Sequence, residues 1–146
     1  MYKLYFDGAS RGNPGHASYG FVIYDENGKE VSVGCQYIGK ETNNVAEYMG
    51  LLKGLESAVK NEYKELEVYG DSNLIIKQLK KEYKTNAKLK PFYDKAQEFI
   101  KDLDILKMEH VYRNNNKRAD ELANIALNNT TFWTPKIAIS IVRNSR

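Results

Sequence analysis

Four acidic residues carry the chemistry that this sequence can support. Asp7 precedes Gly8, Glu47 lies three residues after Asn44, Asp71 follows Gly70, and Asp120 sits between Ala119 and Glu121. Each has an ordinary reading when taken alone. Asp7 is a turn-former, Glu47 part of a capping box, Asp71 an N-cap, and Asp120 an acid favoured in the first turn of a helix. Taken together they point elsewhere. In sheets flanked by helices, sites form beyond the carboxyl ends of neighbouring strands, and Asp7 and Asp71 are both expected there. Two helix N-termini would bring Glu47 and Asp120 beside them. Carboxylates packed so closely repel and raise one another's pKa, and a hard cation relieves the repulsion. An all-oxygen donor set without Cys or His suits Mg²⁺ or Mn²⁺ rather than zinc. Two such ions roughly 4 Å apart activate a water and stabilise the leaving oxygen of a phosphodiester.

The elements that must position these acids follow from periodicity. Residues 2–7 alternate, with Tyr2, Leu4 and Phe6 opposed to Lys3, Tyr5 and Asp7, and predict a strand that Asp7 closes. The run 11–15, Arg-Gly-Asn-Pro-Gly, is turn punctuation. Strands are expected over about 17–25 and 30–38, joined through Asn27-Gly28, a favoured hairpin pair. Val45, Tyr48, Met49, Leu52, Leu55 and Val59 recur at helical spacing, with Asn43 or Asn44 available as cap. Glu47 shares a face of that helix with Leu51, Leu55 and Ala58, which turns it toward the body of the domain. A short strand over Leu66–Tyr69 ends at Gly70-Asp71, and a helix runs from Ser72 through Leu79. Another helix spans about 88–103, a fifth strand contains Ile105, Met108 and Val111, and a last helix holds Leu122, Ile125, Ala126 and Leu127. This βββ-α-β-α-α-β-α order predicts one α/β domain over 1–146, with a core to about 129 and a basic tail from about 130.

Composition removes other classes. With 146 residues and 42% hydrophobic content, the chain is sized for one core and unsuited to disorder. Lys and Arg number 22 against 19 acids, a net charge of +3 that excludes a uniformly cationic DNA-coating protein but leaves room for a local basic face. Cys35 is the lone cysteine, so an internal disulfide and a thiolate metal site are both excluded. The opening MYKLYFDGAS runs straight into a strand pattern, and no apolar run approaches the ~20 residues that span a bilayer. A cytoplasmic protein without membrane contact is expected.

The motifs Asp7-Gly8-Ala9-Ser10 with Gly12-Asn13-Pro14-Gly15, Thr42-Asn43-Asn44-Val45-Ala46-Glu47, Gly70-Asp71-Ser72 and Ala119-Asp120-Glu121-Leu122-Ala123 resemble the signatures of type 1 ribonuclease H, in order, from about residue 1 to 129. That resemblance implies a ribonuclease H-like fold: a five-stranded mixed sheet in the order 3-2-1-4-5 with helices on both faces. It further implies Mg²⁺-dependent endonucleolysis of the RNA strand of an RNA–DNA hybrid, leaving 5′-phosphate and 3′-hydroxyl ends, by a monomer that needs no protein partner. Asp7, Glu47, Asp71 and Asp120 become the ligands of two metal ions. Ser10, Gly12 and Asn13 resemble groove-facing residues, Asn43, Asn44, Ser72 and Asn73 the group that reads 2′-hydroxyls and base edges, and Thr42 part of a phosphate site. Short polar side chains suit that task, because they both donate to and accept from a 2′-hydroxyl. Cleavage of double-stranded RNA, and a noncatalytic binding module, are the competing readings.

The chain also departs from the family pattern. Many members carry a His in the loop before the last Asp, whereas here Arg113 occupies the matching loop, as in a subgroup of archaeal and bacterial enzymes. Arg stays protonated, so the expected role of Arg113 is to bind the scissile phosphate or help product leave, not to act as a base. His110, inside the fifth strand, is expected to be structural. The extra basic helix of some members is missing. Residues 72–101 nonetheless hold eight Lys against three acids, either a solvated helix face or a phosphate-contacting one.

Overall fold

The computed structural model describes residues 1–129. The expected tail from 130 onward, with Phe132, Trp133, Lys136, the apolar run 137–142, Arg143 and Arg146, lies outside them. The chain opens with three strands, β1 (Tyr2–Gly12), β2 (Gly15–Tyr24) and β3 (Glu30–Glu41), followed by α1 (Asn43–Lys60) and β4 (Glu65–Gly70). Then come α2 (Asn73–Leu79), α3 (Lys90–Ile100), β5 (Asp104–His110), a single 3₁₀ turn at Arg113–Asn115, and α4 (Lys117–Asn128). The sheet order is β3-β2-β1-β4-β5, with β1 antiparallel to β2 and parallel to β4, as the motif resemblance implied. Residues 80–89 join α2 to α3 without a helix between them, so the shorter 71–120 stretch does lack the extra helix. No described helix is long and apolar enough to cross a membrane.

Two local expectations are corrected. β1 does not stop at Asp7 but continues to Gly12, because β2 accompanies it along the whole hairpin as far as the Gly12–Gly15 pair. A partner strand satisfies the backbone of residues 8–12, whose small residues read as a loop in isolation. The β2–β3 connection is not a two-residue turn at Asn27-Gly28. It is the longer Asp25–Lys29 loop, in which the Asp25 carboxylate accepts from the Asn27 and Lys29 N–H groups and Gly28 takes φ of +79°. A side-chain acceptor at the first turn position fixes that geometry.

Successive residues of a strand point to opposite faces, and two glycines show what covers each. A Cβ on Gly8 would approach the Glu47 nitrogen of α1 to 2.5 Å, and one on Gly20, the residue paired with Asp7, would reach 2.5 Å from the Ala119 carbonyl of α4. Helices α1 and α4 therefore lie on opposite faces. The larger core is on the α1 side, where Leu4, Phe6, Phe21 and Ile23 pack with Leu51, Leu52, Leu55 and the Ile75-Ile76 pair of α2. Each such buried side chain contributes about 1.5–3 kcal/mol. On the α4 side the contact is equally close and built from small residues: Gly20, Ala119 and Ala123, with the buried Ser18 hydroxyl donating to the Ala123 carbonyl.

This close contact makes Gly20 intolerant of a methyl group. Gly20→Ala is expected to cost about 1–3 kcal/mol, as for other overpacked sites, whereas Gly28→Ala, with no atom within 4 Å of its Cβ, costs only the strain of its positive φ, about 1 kcal/mol. Urea unfolding of both variants checks the order, and equal losses would show that α4 can move away freely.

Candidate active site

The parallel β1–β4 ladder ends at the pair Phe6–Gly70. Asp7 and Asp71 are the next residue on each strand, so the sheet itself sets their carboxylates side by side. The third acid comes from α1. The Thr42 hydroxyl caps this helix by accepting from the Val45 N–H at 3.2 Å, so neither Asn43 nor Asn44 is the cap, and Glu47 lies too far along the helix to complete a capping box. Gly8 lets α1 settle onto β1, which brings Glu47 to Asp7 and Asp71. Asp71 likewise is not a cap: the Ser72 hydroxyl accepts from the Ile75 N–H at 3.3 Å and leaves the Asp71 carboxylate uncommitted to α2.

Oxygens of Asp7, Glu47 and Asp71 lie within 4.8 Å of one another. Asp7 and Glu47 are 4% and 3% exposed, a degree of burial at which unneutralised charge is costly. Asp7 Oδ1 accepts from the Gly8 N–H at 2.9 Å, but Glu47 Oε2 is buried without any partner. Burial is the main cause that pushes both carboxyls above their usual range; contact with Glu47 partly offsets this at Asp7, while Asp71 and Asp120 push Asp7 further up, and Asp7 and Asp71 do the same to Glu47. Hard oxygens, an orphaned buried acceptor and protons held for lack of positive charge are together what a divalent ion would resolve. Asp120, in the first turn of α4, is outside this tight trio but close enough to Asp7 to raise its pKa. Asn124 Nδ2 donates to it at 3.3 Å, and Arg113 stands 3.7 Å away with its side chain 80% exposed.

All four acids, with Ser10, Asn43 and Arg113, line one open cleft of about 570 Å³. His110 lines it too and is partly exposed, rather than an interior residue of the sheet. It is the last residue of β5, paired with Gly70, which brings it to the same end as Asp71.

Comparison with known proteins places this geometry. The reverse transcriptase-like family pattern matches residues 5–126. Ribonuclease HI of Halobacterium salinarum is 44% identical over 124 residues, 84% of this chain and 62% of that protein. The crystal structure of RNase H1 from Halobacterium salinarum superposes with a TM-score of 0.83 at 43% identity, covering 87% of this chain and 97% of the other. The chain belongs to the ribonuclease H family. A further family structure, LC11-RNase H1 in complex with RNA/DNA hybrid, matches with a TM-score of 0.81 at 37% identity over 88% of this chain and 97% of its own. The chain spans 62% of the curated Halobacterium relative and 34% of a mycobacterial bifunctional protein that it also matches.

Within this ribonuclease H fold the other motif residues surround the acids. Asn13, in the β1–β2 turn, accepts from the Asn43 N–H at 3.0 Å, which ties that turn to the start of α1. The Ser10 hydroxyl donates to the Gly12 carbonyl. Thr42, Asn44 and Ser72 are partly exposed, and Asn43 and Asn73 are exposed. The Lys-rich stretch is divided. Lys80, Lys90 and Lys95 have Glu82, Asp94 and Glu98 at 3.9, 2.8 and 3.5 Å, and Lys77 sits over the Tyr83 ring at 5.0 Å, so this stretch is not uniformly available to phosphates.

One residue escaped the sequence reading. Asn116 is 2% exposed; its Nδ2 donates to the Phe6 carbonyl at 2.9 Å and lies 3.4 Å from Asp71 Oδ2, while its own carbonyl accepts from the Asp120 N–H at 3.1 Å. It thus joins the middle of β1, the Asp71 carboxylate and the start of α4. Its place in Asn114-Asn115-Asn116 signalled only a chain break, and its position four residues before Asp120 was the available clue.

The raised carboxyls imply a definite pH dependence. The folded protein holds protons that the unfolded chain, with ordinary carboxylates, has already released. Metal-free stability therefore falls as pH rises from the usual carboxylate range through the raised value, about 7 for Asp7, and stays low above it. Mg²⁺ is expected to restore it. Glu47→Gln should flatten the pH slope and abolish the Mg²⁺-induced rise in melting temperature, a rise of several degrees at roughly 2–4 °C per kcal/mol. A thermal melt series from pH 4 to 8 (about the range in which carboxyls near neutrality titrate), with and without Mg²⁺, checks this. An unchanged melting temperature on adding metal to the wild type would contradict it.

Proposed function

We propose that this domain is an endonuclease that hydrolyses the RNA strand of RNA–DNA hybrids. In this reading Asp7, Glu47, Asp71 and Asp120 hold two Mg²⁺ ions, for which Mn²⁺ can substitute, and the products carry 5′-phosphate and 3′-hydroxyl ends. The observation that carries it is the partnerless, buried Glu47 oxygen beside Asp7 and Asp71 at the floor of an open cleft. When bound, the ions would activate the attacking water and stabilise the leaving oxygen. A module that only bound polyanions would gain nothing from such clustered negative charge.

The chain's own residues would position the substrate. Arg113, permanently cationic and largely exposed beside Asp120, orients the scissile phosphate or assists product departure. The Thr42 and Ser72 hydroxyls each accept from a helix N–H, which leaves the hydroxyl proton to donate outward, to a DNA-strand phosphate from Thr42 and to 2′-hydroxyls from Ser72. The Asn43, Asn44 and Asn73 amides supply both donors and acceptors to the minor groove, and Ser10, Gly12 and Asn13 border it from the β1–β2 turn. Discrimination of RNA from DNA rests on these contacts with the 2′-hydroxyl. Every acid of the site comes from one chain, consistent with a monomer without an obligate protein partner. Cytoplasmic residence, where the exposed Cys35 stays reduced, completes the reading.

Incubation with Mg²⁺ on labelled RNA–DNA hybrid, double-stranded RNA and double-stranded DNA tests it. The expected outcome is cleavage confined to the RNA strand of the hybrid, reduced at least about 100-fold in Asp7→Asn. Arg113→Ala should lower turnover about 10-fold, and His110→Ala by less. Cleavage of both RNA-containing duplexes would broaden the substrate class, and binding without cleavage by the wild type would leave a noncatalytic module.

A further inference from the structure

Tyr112 stands at the lip of the acidic cleft, between His110 and Arg113, with 75% of its surface exposed. A ring so placed contributes nothing to the core. Its backbone, by contrast, is held on both sides: the Val111 N–H donates to the Gly70 carbonyl at 2.9 Å, and the Asn115 N–H to the Tyr112 carbonyl at 2.8 Å. The residue is extended, at φ −74° and ψ 155°, where it launches the 3₁₀ turn, and the His110 ring supports it in a T-shaped contact with centroids 5.4 Å apart. A large amphipathic ring on a fixed stem, with only two side-chain torsions to order, contacts a partner at low entropic cost.

We propose that Tyr112 is a substrate-binding residue whose ring packs on a sugar or base of the nucleic-acid strand entering the acidic cluster. This rests on the nuclease reading above. Tyr112 and Arg113 divide the two chemistries of that strand between adjacent positions. Arg113 meets phosphate through a contact that salt screens, while the ring meets the apolar face of a nucleoside through a desolvated contact that salt leaves intact. Arg113 stands 3.7 Å from Asp120 and Tyr112, its chain neighbour, lines the same cleft, so the ring would order a nucleoside close to the scissile phosphate.

The test measures binding of a fluorescent RNA–DNA hybrid by Asp7→Asn protein, which is expected not to cut it, across a salt series. Adding Tyr112→Ala is expected to weaken binding roughly 10-fold at every salt concentration, with the slope of log affinity against log salt unchanged. Tyr112→Phe should restore binding to within about twofold, since the ring is retained. Arg113→Ala, in contrast, should reduce the salt slope by about 1. Binding by Tyr112→Ala equal to that of its Asp7→Asn parent overturns the proposal, as does a Tyr112→Phe variant as weak as Tyr112→Ala. If the parent fails to bind hybrid and the wild type fails to cut it, the nuclease reading itself falls and this contact with it.

Discussion

Placing Asp7 and Glu47 side by side out of water is the constraint on which the functional end of this molecule turns. Two carboxylates so buried resist ionisation, and the nearby Asp71 charge adds to the resistance of both. The fold imposes the arrangement nonetheless. The end of the parallel ladder sets Asp7 beside Asp71, and the bare Cα of Gly8 admits α1 closely enough for Glu47 to reach them. The resulting tension is a local one, concentrated in a few oxygens that a cation would neutralise. Stability elsewhere comes from the apolar layer between the sheet and α1, which is independent of that charge.

Around these acids, helix termini do two tasks at once. Thr42 and Ser72 satisfy the first N–H groups of α1 and α2, which removes the obvious structural role from Glu47 and Asp71. Asn116 then fixes the remaining geometry by bonding Phe6 in the middle of β1 and the Asp71 carboxylate while its carbonyl starts α4. Asp120, the acid on α4, is partly exposed and shared between Asn124 and Arg113.

The substrate-facing surface is polar and locally varied rather than uniformly basic. Several of the lysines after Asp71 are engaged by carboxylates on their own helix or loop, and Lys95 is nearly buried. Lysines so engaged are less free to meet phosphate. The short polar side chains of the β1–β2 turn and the α1 and α2 termini, together with the Tyr112–Arg113 pair, carry correspondingly more of the recognition in the reading proposed here.

Element types, their order and the identity of the four acids were legible in the sequence, because strand alternation, helical spacing and short motifs are local properties. The motif resemblance added the strand order. Element ends were less legible. Residues 8–12 read as a loop until β2 supplied their hydrogen bonds, and the α1 cap passed from the asparagines to Thr42, where a hydroxyl could reach the Val45 N–H. Other features belonged to the tertiary structure alone: the partnerless Glu47 oxygen, the bridging role of Asn116, and the cleft positions of His110 and Tyr112. Each depends on which groups from distant segments meet, and on which face of the sheet water is excluded. Residue types fix the charge that a site can carry; only packing decides which of those charges lose their water, and hence their chemistry.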